Sequence, residues 1–339
     1  MSDQTRPEET AIPPEAARLH RQITVIDGLN ASWFLDRRVL ERLHQGGVTG
    51  VNATIAAWHN PTETLAMLGD VLQLFRDHGD LILQVKRVAD IQRAKEMGRV
   101  GMILGFQDTE PVGENLRLLN VYQAVGVRII QLTYNFENRV GFGCQAPEDQ
   151  GLKPFGRELV AEMNRLGLLI DLSHCGERTT REAIELSEKP VAITHANSKA
   201  ILDHPRNKSD DVIRALAQRG GVIGAVAVPA MMTRRFPATL DDYLDAIDYL
   251  VQLVGVDHVG LGPDFMEEMP QEVIQKVLVG LPPETMRLLA SIPPTQGFES
   301  VARLPRVTAG LLARGYRPED VAKILGGNWL RLYREVWEA

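Results

Sequence analysis

The sequence predicts a (β/α)8 barrel, a TIM-type fold, and three observations carry that prediction. Short apolar runs alternate with helix-like segments along most of the chain. Most of those runs end on a polar side chain, where barrel enzymes place their chemistry. The first run lacks the glycine-rich phosphate turn of an open dinucleotide-binding sheet.

The candidate strands, in order, are 23–27, 48–55, 81–85, 100–106, 127–133, 168–172, 191–194, 222–228 and 259–262, each a β-branched or apolar run bounded by turn residues. The helical segments between them are 62–76, 89–97, 114–124, 156–165, 179–187, 210–218 and 239–253. Nine runs are one too many for eight strands. The run 81–85 has charged neighbours and no polar exit, so it is set aside as an edge strand. Residues 1–13 read as a flexible tail, with a short helix starting near Pro14, and 14–339 as one barrel domain with a helical C-terminal region. The proline-rich stretch 266–297 reads as an excursion that caps the barrel mouth. Trp33, Phe34 and Trp58 read as core aromatics with a second reading at the pocket mouth. Trp329, Tyr333 and Trp337 read as an interface or as a cover for the barrel.

The 339 residues are 44% hydrophobic and 24% charged, which supplies a full core. A net charge of −7 without a Lys/Arg run argues against a nucleic-acid surface. Only Cys144 and Cys175 occur, so a disulfide framework is excluded and a reducing compartment is expected. The polar N-terminus has no secretory core, and no window approaches the roughly eighteen apolar residues of a membrane span. The expected location is the cytoplasm.

The stretch 168–207 organises the candidate site. Two strands joined by a covering helix lie parallel, so His174 and His195 reach the same rim. The other strand exits add Asp27 to Asn30, Gln107 with Asp108, Tyr134 with Asn135, and Asp264. Two histidines and an aspartate from separate strand ends form a metal-site pattern. Either histidine alone is more often a hydrogen-bonded structural group. Asp264 also reads as a turn or cap residue, and Arg206 as half of a surface ion pair. Arg206 lies just past the second histidine, where a guanidinium suits a substrate carboxylate. The remaining histidines, His20, His44, His59, His78, His204 and His258, read as structural or solvated.

Several blocks resemble the membrane (renal) dipeptidase family, metallopeptidases on an amidohydrolase-like barrel. They are VIDGLN, GLKPFGRELVAEMNRLGLLIDLSH, KPVAITHANS, HPRNKSDDVIRAL, HVGLGPDF and the terminal GGNWLRLYREVW. The resemblance implies a metal-activated water that attacks a dipeptide amide, and a homodimer. It matches His174 and His195 to the histidines of one metal subsite. It matches Asp264 to the aspartate that binds metal and handles the proton, and Arg206 to the anchor of the substrate carboxylate. The other subsite departs. The family's Asp-Gly-His-x-Asp is here Asp27-Gly28-Leu29-Asn30-Ala31, its bridging glutamate is Gln107, and its polarising histidine is Tyr134.

The expectation is therefore one divalent metal, zinc, on His174 and His195, with Asp264 or Gln107 as third partner and no binuclear centre. Asp264 and Tyr134 are expected to be catalytic, and Arg206 and Asn135 to bind a dipeptide-like substrate. A metal-assisted lyase or isomerase on the same barrel is one alternative. A catalytically inactive carboxylate-binding homologue is another.

Overall fold

The computed structural model describes residues 11–277 and 291–338. Of the excursion predicted over 266–297, residues 278–290 lie outside the described residues. The first helix, α1 (Pro14–Gln22), begins at the expected proline. Nine strands follow among the described residues: β1 (Ile26–Asn30), β2 (Gly50–Ala56), β3 (Ile82–Gln84), β4 (Val100–Phe106), β5 (Val127–Gln131), β6 (Leu169–Asp171), β7 (Ala192–Ile193), β8 (Val222–Ala225) and β9 (Val259–Leu261).

They form one parallel sheet in the order β1-β2-β4-β5-β6-β7-β8-β9. The sheet curls until its ends meet. Asn30 bridges to Phe265, Ala31 N–H donates to Phe265 O at 2.8 Å, and Asp264 N–H donates to Leu29 O at 3.2 Å. All seven residues of β4 are buried, as a strand covered on both faces requires. The fold is the predicted eight-stranded barrel, nearly closed, with helices outside.

The run set aside as an edge strand is β3, and its pairing explains why it is outside. It pairs with Val100 to Met102, the first half of β4, while β5 pairs with Leu104 to Phe106 on the second half. β3 therefore ends below the mouth and delivers nothing to it.

The helices that follow the strands match the predicted segments within a few residues, for example α6 (Pro154–Leu166) and α7 (Glu177–Leu186). The helix predicted at 114–124 starts later, as α5 (Leu118–Val125), and a helix not anticipated, α2 (Arg37–Gln45), is capped by Asp36, whose side chain accepts from Arg38 N–H.

β1 departs most from expectation, starting and ending three residues later than the apolar run suggests. A pattern reading stops at Asp27, because a carboxylate usually ends a buried strand. Here Asp27 and Asn30 are both buried and satisfy each other: Asn30 Nδ2 donates to Asp27 Oδ2 at 2.9 Å, and Leu29 N–H donates to Oδ1 at 3.2 Å. Loss of solvation pushes the Asp27 carboxyl up to about 8 from 3.8. The folded protein thus holds a proton that the unfolded chain has released. Stability from this group is complete below its unfolded pKa and falls as pH rises towards 8. The denaturant midpoint is expected to drop between about pH 4 and about pH 8 in the wild type. Asp27→Asn, with no carboxyl to ionise, should lose that part of the drop.

The C-terminal helices α11 (Leu304–Ala313), α12 (Pro318–Ala322) and α13 (Asn328–Trp337) return to the bottom of the barrel. Trp329 and Tyr333 are fully buried there with Ile26, Ile129, Leu169 and Val222, residues from the sheet itself. Trp329 Nε1 donates to Leu261 O at 3.0 Å. A Cβ on Gly28 or Gly260 would stand 2.6 or 2.5 Å from the Trp329 ring, so both strands need glycine where the indole enters. Trp329 and Tyr333 therefore plug their own barrel, which decides between their two readings. Among the described residues no helix is long and apolar enough to cross a membrane.

Candidate functional site

The carboxyl ends of β6 and β7 carry the two histidines, and a buried carboxylate between them sets their turns. Asp171, the last residue of β6, accepts from Ser173 N–H at 3.0 Å and Ser173 Oγ at 2.5 Å. It also accepts from Thr194 N–H at 3.0 Å and Thr194 Oγ1 at 2.6 Å. Burial pushes its carboxyl up, and these same bonds pull it back down. One side chain thus fixes the residues that precede both His174 and His195.

The imidazoles are buried, and their Nε2 atoms face each other at 3.1 Å. Their Nδ1 atoms are engaged elsewhere. His174 Nδ1 lies 2.8 Å from Asn135 Oδ1, and His195 Nδ1 lies 2.8 Å from Thr194 Oγ1. The hydroxyl proton of Thr194 goes to Asp171, so Thr194 accepts from His195. A carbonyl-type oxygen on Asn135 accepts likewise from His174. Both rings therefore carry the proton on Nδ1 and present a bare lone pair at Nε2. Burial first, then the charge of Arg206, holds both histidines well below their ordinary pKa, so neither is a cation at neutral pH.

Two lone pairs pointing at each other across 3.1 Å repel unless a positive charge lies between them. The separation suits two nitrogens about 2.0–2.1 Å from one zinc ion in a tetrahedral or more crowded shell. Each ring also has the outer hydrogen bond that metal-bound histidines carry. The donor set fits a divalent cation at this position.

The other expected residues fall into place unevenly. Tyr134 lies flat on His174, with ring centroids 4.0 Å apart and planes 19° from parallel, and meets Trp58 edge-on at 4.9 Å. Loss of solvation raises its phenol, which stays protonated as a donor. Asn135, expected to touch substrate, has its oxygen on His174, so its observed work is to orient that ring. Gln107 is buried, and its amide nitrogen donates to Thr54 Oγ1 at 2.9 Å. Asp264 is half-buried, in a left-handed conformation with φ 64° that aspartate tolerates. Burial pushes its carboxyl up to about 6, opposed by Arg206. Among the described residues no three His, Cys, Asp or Glu side chains come together as a ligand group, so Asp264 does not join the two imidazoles as a third donor here. Leu29 is buried and apolar and Ala31 carries only a methyl, so the end of β1 offers no side-chain donor at these two positions.

Arg206 is buried and donates to two main-chain carbonyls, Ser173 O and His195 O, the latter at 3.0 Å. It straddles the two histidine turns. No carboxylate pairs with it among the described residues, so it is not the surface ion pair of the bland reading. Lys208, also buried, donates to Cys175 O on the far side of His174. Cys175 itself is buried in the core. His20, His44 and His258 each bond a main-chain carbonyl, as structural histidines do.

Sequence reasoning passed over Asp171, whose role depends on residues far along the chain, and a cavity of about 400 Å³ next to Tyr134 and Asn135. Trp58, His59 and Asp108 line it, which fits the second reading of Trp58 as a residue of the pocket mouth and departs from the structural or solvated reading of His59. Burial pushes Asp108 up to about 7. Asp108 and Glu110 in the exit after β4, with Glu137 after β5, were the available signal.

The orienting role of Asp171 is testable. Asp171→Asn puts an amide NH2 against hydroxyl and N–H donors, so His195 loses its fixed tautomer. Affinity for zinc is expected to fall about 10–100-fold in competition titrations with a chromogenic chelator.

A family model described as membrane dipeptidase (peptidase family M19) matches residues 15–277 and 290–339. Dipeptidase tcpJ of Claviceps purpurea is 30% identical over 285 residues, covering 83% of this chain and 61% of its own length. The chain spans about three fifths of the length of the curated relatives it matches first. The structure of an amidohydrolase from Pseudomonas aeruginosa is 36% identical with a TM-score of 0.90, covering 96% of this chain and 99% of that one. The probable dipeptidase PvdM of the same species, 23% identical with a TM-score of 0.82 over 96% and 98% of the two chains, shares the fold.

Proposed function

The chain belongs to the membrane dipeptidase family, peptidase family M19, and on that footing we propose that it is a metal-dependent hydrolase that cleaves the amide bond of a dipeptide or a similar small amide with a free carboxylate. Membership of a metallopeptidase family implies metal dependence. The observation that carries the rest is the pair of bare imidazole nitrogens 3.1 Å apart.

His174 and His195 hold one divalent cation, zinc, with the remaining positions left to Asp264, Gln107, water or substrate. A second cation has no counterpart set, because Leu29 and Ala31 bring no donor and Gln107 is neutral. When bound, the cation supplies Lewis-acid charge and brings the pKa of water down towards about 7.

The chain's own residues do the following. Arg206 anchors the substrate carboxylate beside the two histidine turns. Tyr134 donates its phenolic O–H to the scissile carbonyl oxygen, where negative charge develops. Asp264, ionised at neutral pH, takes a proton from the attacking water. The water oxygen bonds to the carbonyl carbon, the C–N bond breaks, and Asp264 returns the proton to the leaving amine nitrogen. The buried surroundings of the histidines exclude bulk water from this exchange.

A homodimer and a cytoplasmic location belong to the same proposal, supported by the resemblance and by the residue usage. The function is tested by incubating the zinc-loaded chain with dipeptides carrying L- or D-residues at the C-terminal position. Release of both free amino acids is the expected result. An unsaturated or rearranged product with the amide intact would point to lyase or isomerase chemistry instead.

A further inference from the structure

We propose that Glu267, clasped by Arg42, is a positioning residue that holds Asp264 in the geometry for proton transfer. The proposal rests on the hydrolase reading for the task of Asp264 and on the loop after β9 for the task of Glu267.

That loop has an unusual backbone. Asp264 has φ 64° and Glu268 has φ 56°, and among the described residues they alone, glycines aside, adopt the left-handed region. Aspartate visits that region at modest cost through its short polar side chain, an advantage glutamate lacks. Two such residues close together persist only where the surroundings over-determine them, and such strain gathers at functional sites. Glu267 stands between the two.

The main chain of the loop is laced to the segment after β1. Ala31 N–H donates to Phe265 O at 2.8 Å, and Trp33 N–H donates to Glu267 O at 2.9 Å. The buried Ser32 hydroxyl donates to Phe265 O at 3.3 Å and accepts from Glu267 N–H at 2.9 Å. The Glu267 side chain, 9% exposed, ties the same loop to two further elements. Its Oε2 accepts from Arg42 Nη1 of α2 at 2.8 Å. Its Oε1 accepts from Val301 N–H at 2.8 Å, at the head of the short turn before α11. The Ser300 hydroxyl lies 3.1 Å from both oxygens. Arg42 Nη2 reaches on to Glu268 Oε1 at 2.7 Å, so one guanidinium spans both glutamates. Removing either partner leaves the other charge partly buried and uncompensated.

The consequence for chemistry is geometric. A proton acceptor works only within about 2.6–3.2 Å of the proton's heavy atom. Asp264 is brought to its place by a backbone conformation that relaxes once the clasp beyond it opens, since its own N–H bond to Leu29 O is a long one at 3.2 Å. The exit of β1, which brings no side-chain donor at Leu29 or Ala31, thus has observed work of another kind. With α2 behind it, it seats the loop that carries Asp264.

The test uses the full chain in two states. Amide hydrogen exchange is read by mass spectrometry without added metal, and dipeptide turnover is read at saturating zinc. Glu267→Gln and Arg42→Ala open the clasp from its two sides. Arg42 is 32% exposed, so its variant guards against misfolding of the Glu267 variant. In both, residues 264–268 should exchange at least about tenfold faster while β4 is unchanged. In both, kcat should fall at least about tenfold with KM within about twofold, because Asp264 acts on the transition state while Arg206 holds the ground state. A merely structural glutamate would lower the melting temperature and the yield of folded chain without lowering kcat per bound zinc. Unchanged exchange in both variants overturns the clasp. Faster exchange with kcat retained overturns the positioning role. A wild type that turns over no dipeptide sinks the hydrolase reading and the catalytic half of the proposal with it; faster exchange would still support the clasp.

Discussion

His174→Ala and His195→Ala each lose the bound cation, and kcat/KM for dipeptide hydrolysis falls about a thousandfold or more. The reason lies in the ligand count. With two imidazoles as the only His, Cys, Asp or Glu ligands brought together among the described residues, removing either leaves a single nitrogen. One neutral imidazole does not hold a divalent ion against water. A thousandfold loss is about 4 kcal/mol of transition-state stabilisation, within what a metal centre supplies. Folding should survive, because the variants also delete the lone-pair repulsion between the two Nε2 atoms. Metal content by mass spectrometry, kcat/KM and the melting temperature together check the prediction. A variant that keeps its metal and its rate contradicts it.

Arg206→Ala is expected to have the second-largest effect. Removing a buried guanidinium from a carboxylate typically costs about 2–5 kcal/mol, so kcat/KM should fall roughly 30- to 5,000-fold. The same change leaves Ser173 O and His195 O without their donor, so the melting temperature should fall as well. Stability loss alone would lower activity without changing selectivity, and a substrate pair separates the two effects. The wild type should prefer a dipeptide with a free carboxylate over its C-terminal amide, and Arg206→Ala should lose that preference. Arg206→Lys should not restore it, because an ammonium group cannot span two carbonyls and a carboxylate in one plane. An unchanged preference in Arg206→Ala would remove Arg206 from substrate binding.

The parts of the molecule that were legible in the sequence are those with local causes. The strands β2 and β4 to β9 announce themselves as apolar runs, and the unit from β6 to β7 brings His174 and His195 to one rim by topology alone. β1 was misplaced because Asp27 and Asn30 satisfy each other inside the barrel, and an alternation pattern cannot register a polar pair that closes on itself. α2 was missed because its charged residues outnumber the three buried ones, Val39, Leu40 and Leu43. In the site, the roles of Asp171, Thr194 and Asn135 were hidden. Each depends on a hydrogen bond to a residue on another strand end or loop: Asp171 with Thr194, and Asn135 with His174. Asp108 was visible as a strand exit next to Gln107, but its hydrogen bond from Asn138, which comes from a different loop, was not.

The central claim is the proposal that two histidines hold one cation in a barrel where Leu29 and Ala31 offer no side-chain donor for a second. The most direct measurement is the zinc stoichiometry of the purified chain after saturation and removal of loose metal, read by mass spectrometry against protein concentration. The account predicts one zinc per chain in the wild type and none in His195→Ala. Two per chain, or none in a folded wild type at saturating zinc, would contradict it.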